Sequence, residues 1–193
     1  MIKPGLYAIA DREVARSQEL TLEEFVWKLC EGGVSAIQYR DKEVSDIEFK
    51  QLARKLRTVV SRFGIPFIIN DRVEIAAEVG ADAVHLGQED LEDWSILEVR
   101  KWNLKVGLST HGLQQALAAE KMGVDYIGIG PVYATPTKPH YEEIGLREMA
   151  RVCASVKIPT VAIGGINKNN IDEVQRQGAK IFAMVRGLQD FIL

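Results

Sequence analysis

The chain is 193 residues long, 47% hydrophobic and 26% charged, an ordinary globular composition with enough apolar residues for one substantial core. A formal net charge of -3 gives no global electrostatic case for nucleic acid, and no apolar run approaches the ~20 residues of a membrane-spanning helix. Cys30 and Cys153 sit in helix-like contexts and read as buried free thiols, and the cytoplasm is the expected compartment.

In chain order, "GLYAIAD" (5–11) is the first strand; it ends in charge and does not read as a signal peptide. "TLEEFVWKLCEGG" (21–33) has a Thr cap, early Glu residues and a Gly stop, the pattern of a helix. "SAIQYR" (35–40) is a second strand, followed by a Ser-capped helix over 45–64. The alternation continues with strands at 66–71, 82–87, 105–109, 126–130, 160–165 and 180–185, and with helices at 72–81, 93–102, 112–123, 146–156 and 169–179. Strict β/α alternation implies a parallel sheet with helices outside. Eight units in this length is roughly 24 residues each, against about 31 in a typical (β/α)8 TIM barrel. The expectation is a compact α/β TIM barrel spanning 1–193 as one domain, favoured by strand count over a doubly wound open sheet. Only "RGLQDFIL" follows the eighth strand, so the eighth helix is expected to be truncated.

Active sites of such barrels lie at the carboxyl ends of the strands, and here those ends are polar. Gln38, Arg40 and Lys42 recur at every second position of "IQYRDK" and so share one face of a strand. Strand three ends in Asn70 and Asp71, strand four runs into "GQED" with Asp90, and strand five ends in "STH" with Ser109. Strand six leads to "GPVYATPTKP", which holds Thr135, Thr137 and Lys138. Arg40, Lys42 and Lys138 bring three cations to one mouth, and Asp71 and Asp90 bring two carboxylates. Hard oxygen ligands of that kind suit Mg²⁺ shared with phosphate oxygens, which points to a diphosphate site. Plain ion pairs, Arg40–Asp71 and Lys42–Asp90, are the bland alternative. A second anion site is expected where the hydroxyls of "GPVYATPTKP" meet the unobstructed amides of "AIGGI", because the loops after strands seven and eight are the common phosphate-binding place in these barrels. His85 sits mid-strand and reads as a satisfied core residue, and the histidine spacing makes no zinc motif. Tyr7 and Tyr133 are placed to touch a flat ring near the mouth.

With these residues in hand, the sequence resembles the thiamine phosphate synthase family along nearly its whole length. The matching motifs are "IQYRDK", "INDR", "HLGQED", "LSTH", "GPVYATPTKP" and "VAIGGI". The resemblance implies a transferase of thiamine biosynthesis that joins a pyrimidine methyl diphosphate to a thiazole phosphate, or to its carboxylated form, with Mg²⁺ as cofactor. It implies that Asp71 and Asp90 bind Mg²⁺, and that Arg40, Lys42, Ser109 and Lys138 act on the pyrimidine diphosphate. Gln38 and Asn70 join them, with Tyr39 and Asp41 of the same motif added to the substrate-binding set. Thr135, Pro136, Thr137, Gly165, Val185 and Arg186 are implied for the thiazole phosphate. The family commonly has Val-Ser where Val185-Arg186 stands, and a longer eighth helix; the short end either weakens the thiazole phosphate site or leaves an apolar patch for a partner subunit, and a homodimer is an expectation. Two alternatives are a degenerate paralogue that binds thiamine phosphates without turnover, and a thiazole tautomerase-like enzyme. Relatives of the second kind carry a His where this chain has Pro131.

Overall fold

The structure is a computed structural model in which residues 2–135 and 142–191 are described. Eight parallel strands close on themselves in sequence order: β1 (Gly5–Ala10), β2 (Ala36–Tyr39), β3 (Phe67–Asn70), β4 (Ala83–Leu86), β5 (Lys105–Thr110), β6 (Tyr126–Ile129), β7 (Thr160–Ile163) and β8 (Ile181–Met184). The expected TIM barrel is therefore what forms. The closing seam sets Tyr7 beside Ala183 in parallel register. Every expected strand is present, each within two residues of its expected ends.

The helices are α1 (Arg12–Ser17), α2 (Leu22–Glu31), α3 (Asp46–Ser61), α4 (Val73–Glu78), α5 (Ile96–Arg100), α6 (Leu113–Met122), α7 (Gly145–Ser155) and α8 (Ile171–Arg176). Thr21, Ser45 and Ser95 each open a helix with a complete capping box, paired with Glu24, Glu48 and Glu98. Each such reciprocal pair satisfies two amides that the first helical turn leaves over. Helix α1 is an addition to the expected set. Asp11 starts it by accepting the Glu13 and Val14 amides. After β8 the chain makes a 3-10 turn, Arg186–Asp190, and Gln189 Nε2 donates to Ser17 Oγ at 2.8 Å, tying this turn to α1. Among the described residues no helix is long and apolar enough to cross a membrane.

Strand alternation sorts the side chains into two cores. The outer core packs Ala8, Ile37, Ile69, Val84, Leu108 and others against the helices. The inner core is smaller and includes Tyr7, Ile9, Ile68, Tyr126 and Val161. Above it the barrel interior turns polar, and that change of character locates the site.

Candidate active site

The carboxyl ends of the strands surround a cavity lined by Gln38, Arg40, Asn70, Ser109, Thr135, Gly165, Val185 and Arg186, together with buried Tyr7 and Tyr126 and half-buried His85. Eight of the residues implied for substrate binding therefore converge. Pro136, Thr137 and Lys138 lie outside the described residues.

Lys42, Asp71 and Asp90 stand on the loops following β2, β3 and β4. Lys42 Nζ is 3.5 Å from Asp71 Oδ2, and the Asp71 and Asp90 carboxyls lie within hydrogen-bonding reach of each other. Asp90 is held above the ordinary carboxylate range, first by burial and then by the charges of Asp71 and Glu89, although the Gly87 amide that it accepts at 2.6 Å opposes the shift. Two carboxylates drawn together in this way disfavour a second negative charge unless a cation joins them. The donor set suits Mg²⁺, which takes one or two protein carboxylates and fills its remaining positions with water and phosphate oxygens. Asp71 reaches this position from a left-handed backbone, φ 61°, a conformation that costs a non-glycine residue energy and collects at functional sites.

The ion pairs differ from the bland expectation. Lys42 pairs with Asp71 and not with Asp90. Arg40 makes no ion pair among the described residues while lining the cavity, leaving a guanidinium for a ligand anion.

Two implied residues take another role. Tyr39 and Asp41 alternate with Gln38 and Arg40 and so point out of the barrel. Tyr39 stacks on Phe49 of α3 at 4.2 Å and belongs to the outer core; burial raises its hydroxyl to about 12. Asp41 Oδ2 accepts Arg12 Nε at 3.0 Å, and its other oxygen accepts the Glu43 amide. Their side chains brace the β2 loop against α1 and α3, and a side-chain role at the substrate is corrected accordingly.

Where the second anion site is expected, the loops present backbone. The N–H groups of Gly165, Arg186 and Gly187 donate to no protein acceptor among the described residues. Gly164 (φ 102°) and Gly165 (φ 65°) are left-handed, and a Cβ on Gly165 would fall 2.7 Å from the Tyr133 Cβ. A Cβ on Gly187 would fall 2.6 Å from the Ile166 carbonyl oxygen. Glycine at these points lets the loops after β6, β7 and β8 close together, and amides without a protein acceptor are suited to an anion. Arg186 opens the 3-10 turn with its guanidinium 4.0 Å from Glu13 Oε2 and its side chain 59% exposed, directed along the rim.

The largest omission from the sequence reading lies below the mouth. His85 Nδ1 meets the Tyr126 hydroxyl and its Nε2 meets Ser109 Oγ, both at 3.0 Å. The signal was available: His85 is two residues from Ala83 of the inner core, so alternation turns its ring inward. Tyr126 drew no attention because its neighbours Gly128 and Gly130 say little about which face it takes. Tyr7 does line the cavity, whereas the Tyr133 hydroxyl donates outward to Glu173 at 3.3 Å. Burial raises the Cys30 thiol to about 12, in keeping with an inert buried cysteine.

Comparison with known proteins agrees with this geometry. The model of the thiamine monophosphate synthase family matches residues 6–188. The thiamine-phosphate synthase of Pelotomaculum thermopropionicum is 45% identical over 163 residues, covering 84% of this chain and 75% of that protein. That of Clostridium acetobutylicum is 37% identical over 185 residues, covering 95% and 86%. The solved thiamine phosphate pyrophosphorylase from Pyrococcus furiosus superposes with a TM-score of 0.83 at 35% identity, covering 97% of this chain and 95% of that one. An N-acetylmannosamine-6-phosphate 2-epimerase from Clostridium perfringens shares the fold alone, with a TM-score of 0.68 at 14% identity.

Proposed function

The chain belongs to the thiamine monophosphate synthase family, and from that premise we propose how its own residues carry out the transfer that the family name describes. A pyrimidine carrying a diphosphooxymethyl group meets a thiazole carrying a phosphooxyethyl group, with or without a ring carboxylate. The methylene C–O bond breaks, pyrophosphate leaves with the bonding pair, and the thiazole nitrogen forms the new C–N bond of thiamine phosphate. The observation that carries this reading is the pairing of Asp71 with Asp90 next to Lys42, with Arg40 lining the cavity and making no ion pair among the described residues.

The transition state builds negative charge on the departing diphosphate. Arg40 and Lys42 are placed to stabilise that charge, and Lys138, outside the described residues, is assigned with them. Asp71 and Asp90 would hold Mg²⁺. Bound there, the ion withdraws charge from diphosphate oxygens as a Lewis acid. Gln38, Asn70 and Ser109 orient the pyrimidine. Thr135 and the amides of Gly165 and Arg186, next to Val185, hold the thiazole phosphate, with Pro136 and Thr137 assigned beside them. Holding the thiazole nitrogen against the electron-poor carbon is a positioning effect, and no strong general base is needed. The buried free thiol of Cys30 supports a cytoplasmic setting. The exposed apolar side chains of Leu97, Trp102, Leu117 and Met122 support a homodimer.

The retained acidic pair favours turnover over a binding-only paralogue, and Pro131 just after β6 argues against a tautomerase-like enzyme. The test is pyrophosphate release from purified protein, Mg²⁺ and both substrates. Turnover that Asp71→Ala abolishes supports the synthase. Ligand binding without turnover, or isomerisation of the thiazole alone, overturns it.

A further inference from the structure

A row of polar side chains crosses the barrel beneath the mouth, drawn from five strands. Gln38 Nε2 donates to the Tyr7 hydroxyl at 2.8 Å. The Tyr7 and Tyr126 hydroxyls are 3.0 Å apart. Tyr126 then meets His85 Nδ1, and His85 Nε2 meets Ser109 Oγ. The row needs a gap in the wall of β5: a Cβ on Gly107 would fall 2.1 Å from the Tyr126 ring. Burial raises the pKa of both phenols far above neutrality, so each keeps a single proton to give.

The row has a direction. An amide nitrogen only donates, so Tyr7 receives at its oxygen and gives its own proton to Tyr126. Tyr126, in turn, gives its proton to His85 Nδ1. A neutral imidazole that accepts at Nδ1 carries its proton on Nε2, which faces Ser109 Oγ. Ser109 is thereby an acceptor toward His85, and its own proton is directed elsewhere, on a residue that lines the cavity. In the reverse order Tyr7 would accept from both Gln38 and Tyr126, and its own buried proton would have no acceptor among the described residues.

We propose that Tyr7, Tyr126 and His85 are positioning residues that fix Ser109 as a hydrogen-bond donor to an acceptor atom of the bound pyrimidine. This rests on the synthase reading for the identity of the ligand, but the hydrogen-bond direction belongs to the free protein. A ligand N–H at Ser109 would leave the serine proton without a partner in the ligand, whereas an acceptor such as a ring nitrogen takes that proton directly, so the arrangement favours an acceptor.

The first measurement is the two-bond ¹H–¹⁵N correlation of ¹⁵N-histidine-labelled full-length protein at neutral pH, with the His85 signal assigned by its loss in His85→Gln. The Nε2–H tautomer is expected; the Nδ1–H tautomer or a doubly protonated ring overturns the proposal. This result is independent of turnover, so its failure is distinct from failure of the pyrophosphate-release assay. The second measurement is kinetic. Tyr126→Phe removes the donor to His85 and is expected to lower kcat/KM for the pyrimidine substrate roughly tenfold, the loss of about one hydrogen bond, with KM for the thiazole phosphate within about twofold. His85→Gln keeps an acceptor and a donor on one planar group and is expected to retain more activity than His85→Leu. Equal losses in these two variants would reduce His85 to packing and overturn the proposal. If Tyr126→Phe does not fold, the wild-type tautomer decides.

Discussion

Lys42 Nζ stands 3.5 Å from Asp71 Oδ2, and that same carboxyl reaches Asp90 from the neighbouring loop. One ammonium therefore serves two acidic groups, which leaves the cluster short of positive charge and receptive to a divalent cation. Added Mg²⁺ is expected to raise the melting temperature of the wild-type protein in proportion to the logarithm of its concentration above Kd. The same titration on Asp71→Asn or Asp90→Asn should show little or no shift, as read by differential scanning fluorimetry.

Asp71 also bears a conformational cost that its function justifies. Its φ of 61° lies where glycine is at ease and a side chain is not. Asp71→Gly is expected to gain about 0.5–1 kcal/mol of stability in urea unfolding, since the partly exposed ion pair with Lys42 contributes little. The same variant should lose turnover. A destabilised Asp71→Gly would show that the carboxylate braces the loop.

The acidic pair sets a pH dependence. The folded protein holds Asp90 above its ordinary range, so folding disfavours the charged form. The stability linked to this group is fully present below the unfolded carboxylate pKa of about 3.9 and is lost as pH rises through the elevated folded value. Without divalent ions, Asp90→Asn should therefore melt above wild type at pH 7, with the gap closing near pH 3. A gap that does not change with pH would assign the effect to packing.

Tyr39 tests the outward assignment. Its hydroxyl is buried and makes no well-formed hydrogen bond among the described residues, with the Arg12 guanidinium its polar neighbour at longer range, so removing it gives up a weak contact and relieves a desolvation cost. Tyr39→Phe should keep the stacking on Phe49, raise stability by up to about 1 kcal/mol, and leave kcat and both KM values unchanged. A raised KM for the pyrimidine substrate would return Tyr39 to the site.

Arg186 is drawn along the rim toward Glu13, and its proposed contribution to the phosphate is its backbone N–H, which Ser also supplies. Arg186→Ser is expected to leave KM for the thiazole phosphate within about twofold, because an exposed charge of this kind is largely screened. A marked fall in KM would mean that the guanidinium obstructs the cradle, and a marked rise that it binds the phosphate directly.

The strands were legible because each is a short apolar run stopped by polar residues or Gly, and helices α2 and α3 because Thr21 and Ser45 announce them with a Glu three residues on. Helix α1 was hidden: "REVARS" follows so closely on "AIAD" that its charges read as the end of a strand. The mouth residues Gln38, Arg40 and Asn70 were legible from alternation along β2 and the polar end of β3. That same alternation already turned Tyr39 and Asp41 away; the motif as a whole, read without its period of two, put them in the site. The hydrogen-bond row was out of reach for a different reason. Tyr7 and Tyr126 are 119 residues apart, and only barrel closure makes them neighbours.

Closure has a temporal side. Because Tyr7 lies beside Ala183, one edge of β1 stays unpaired until β8, the last described strand, arrives, although β1 already pairs with β2 on its other side. A chain growing on a ribosome exposes Asp71 and Asp90 early, yet the free amides of Arg186 and Gly187 emerge only after nearly everything else. Until then the nascent sheet has two open edges, a form prone to wrong pairing and suited to chaperone capture.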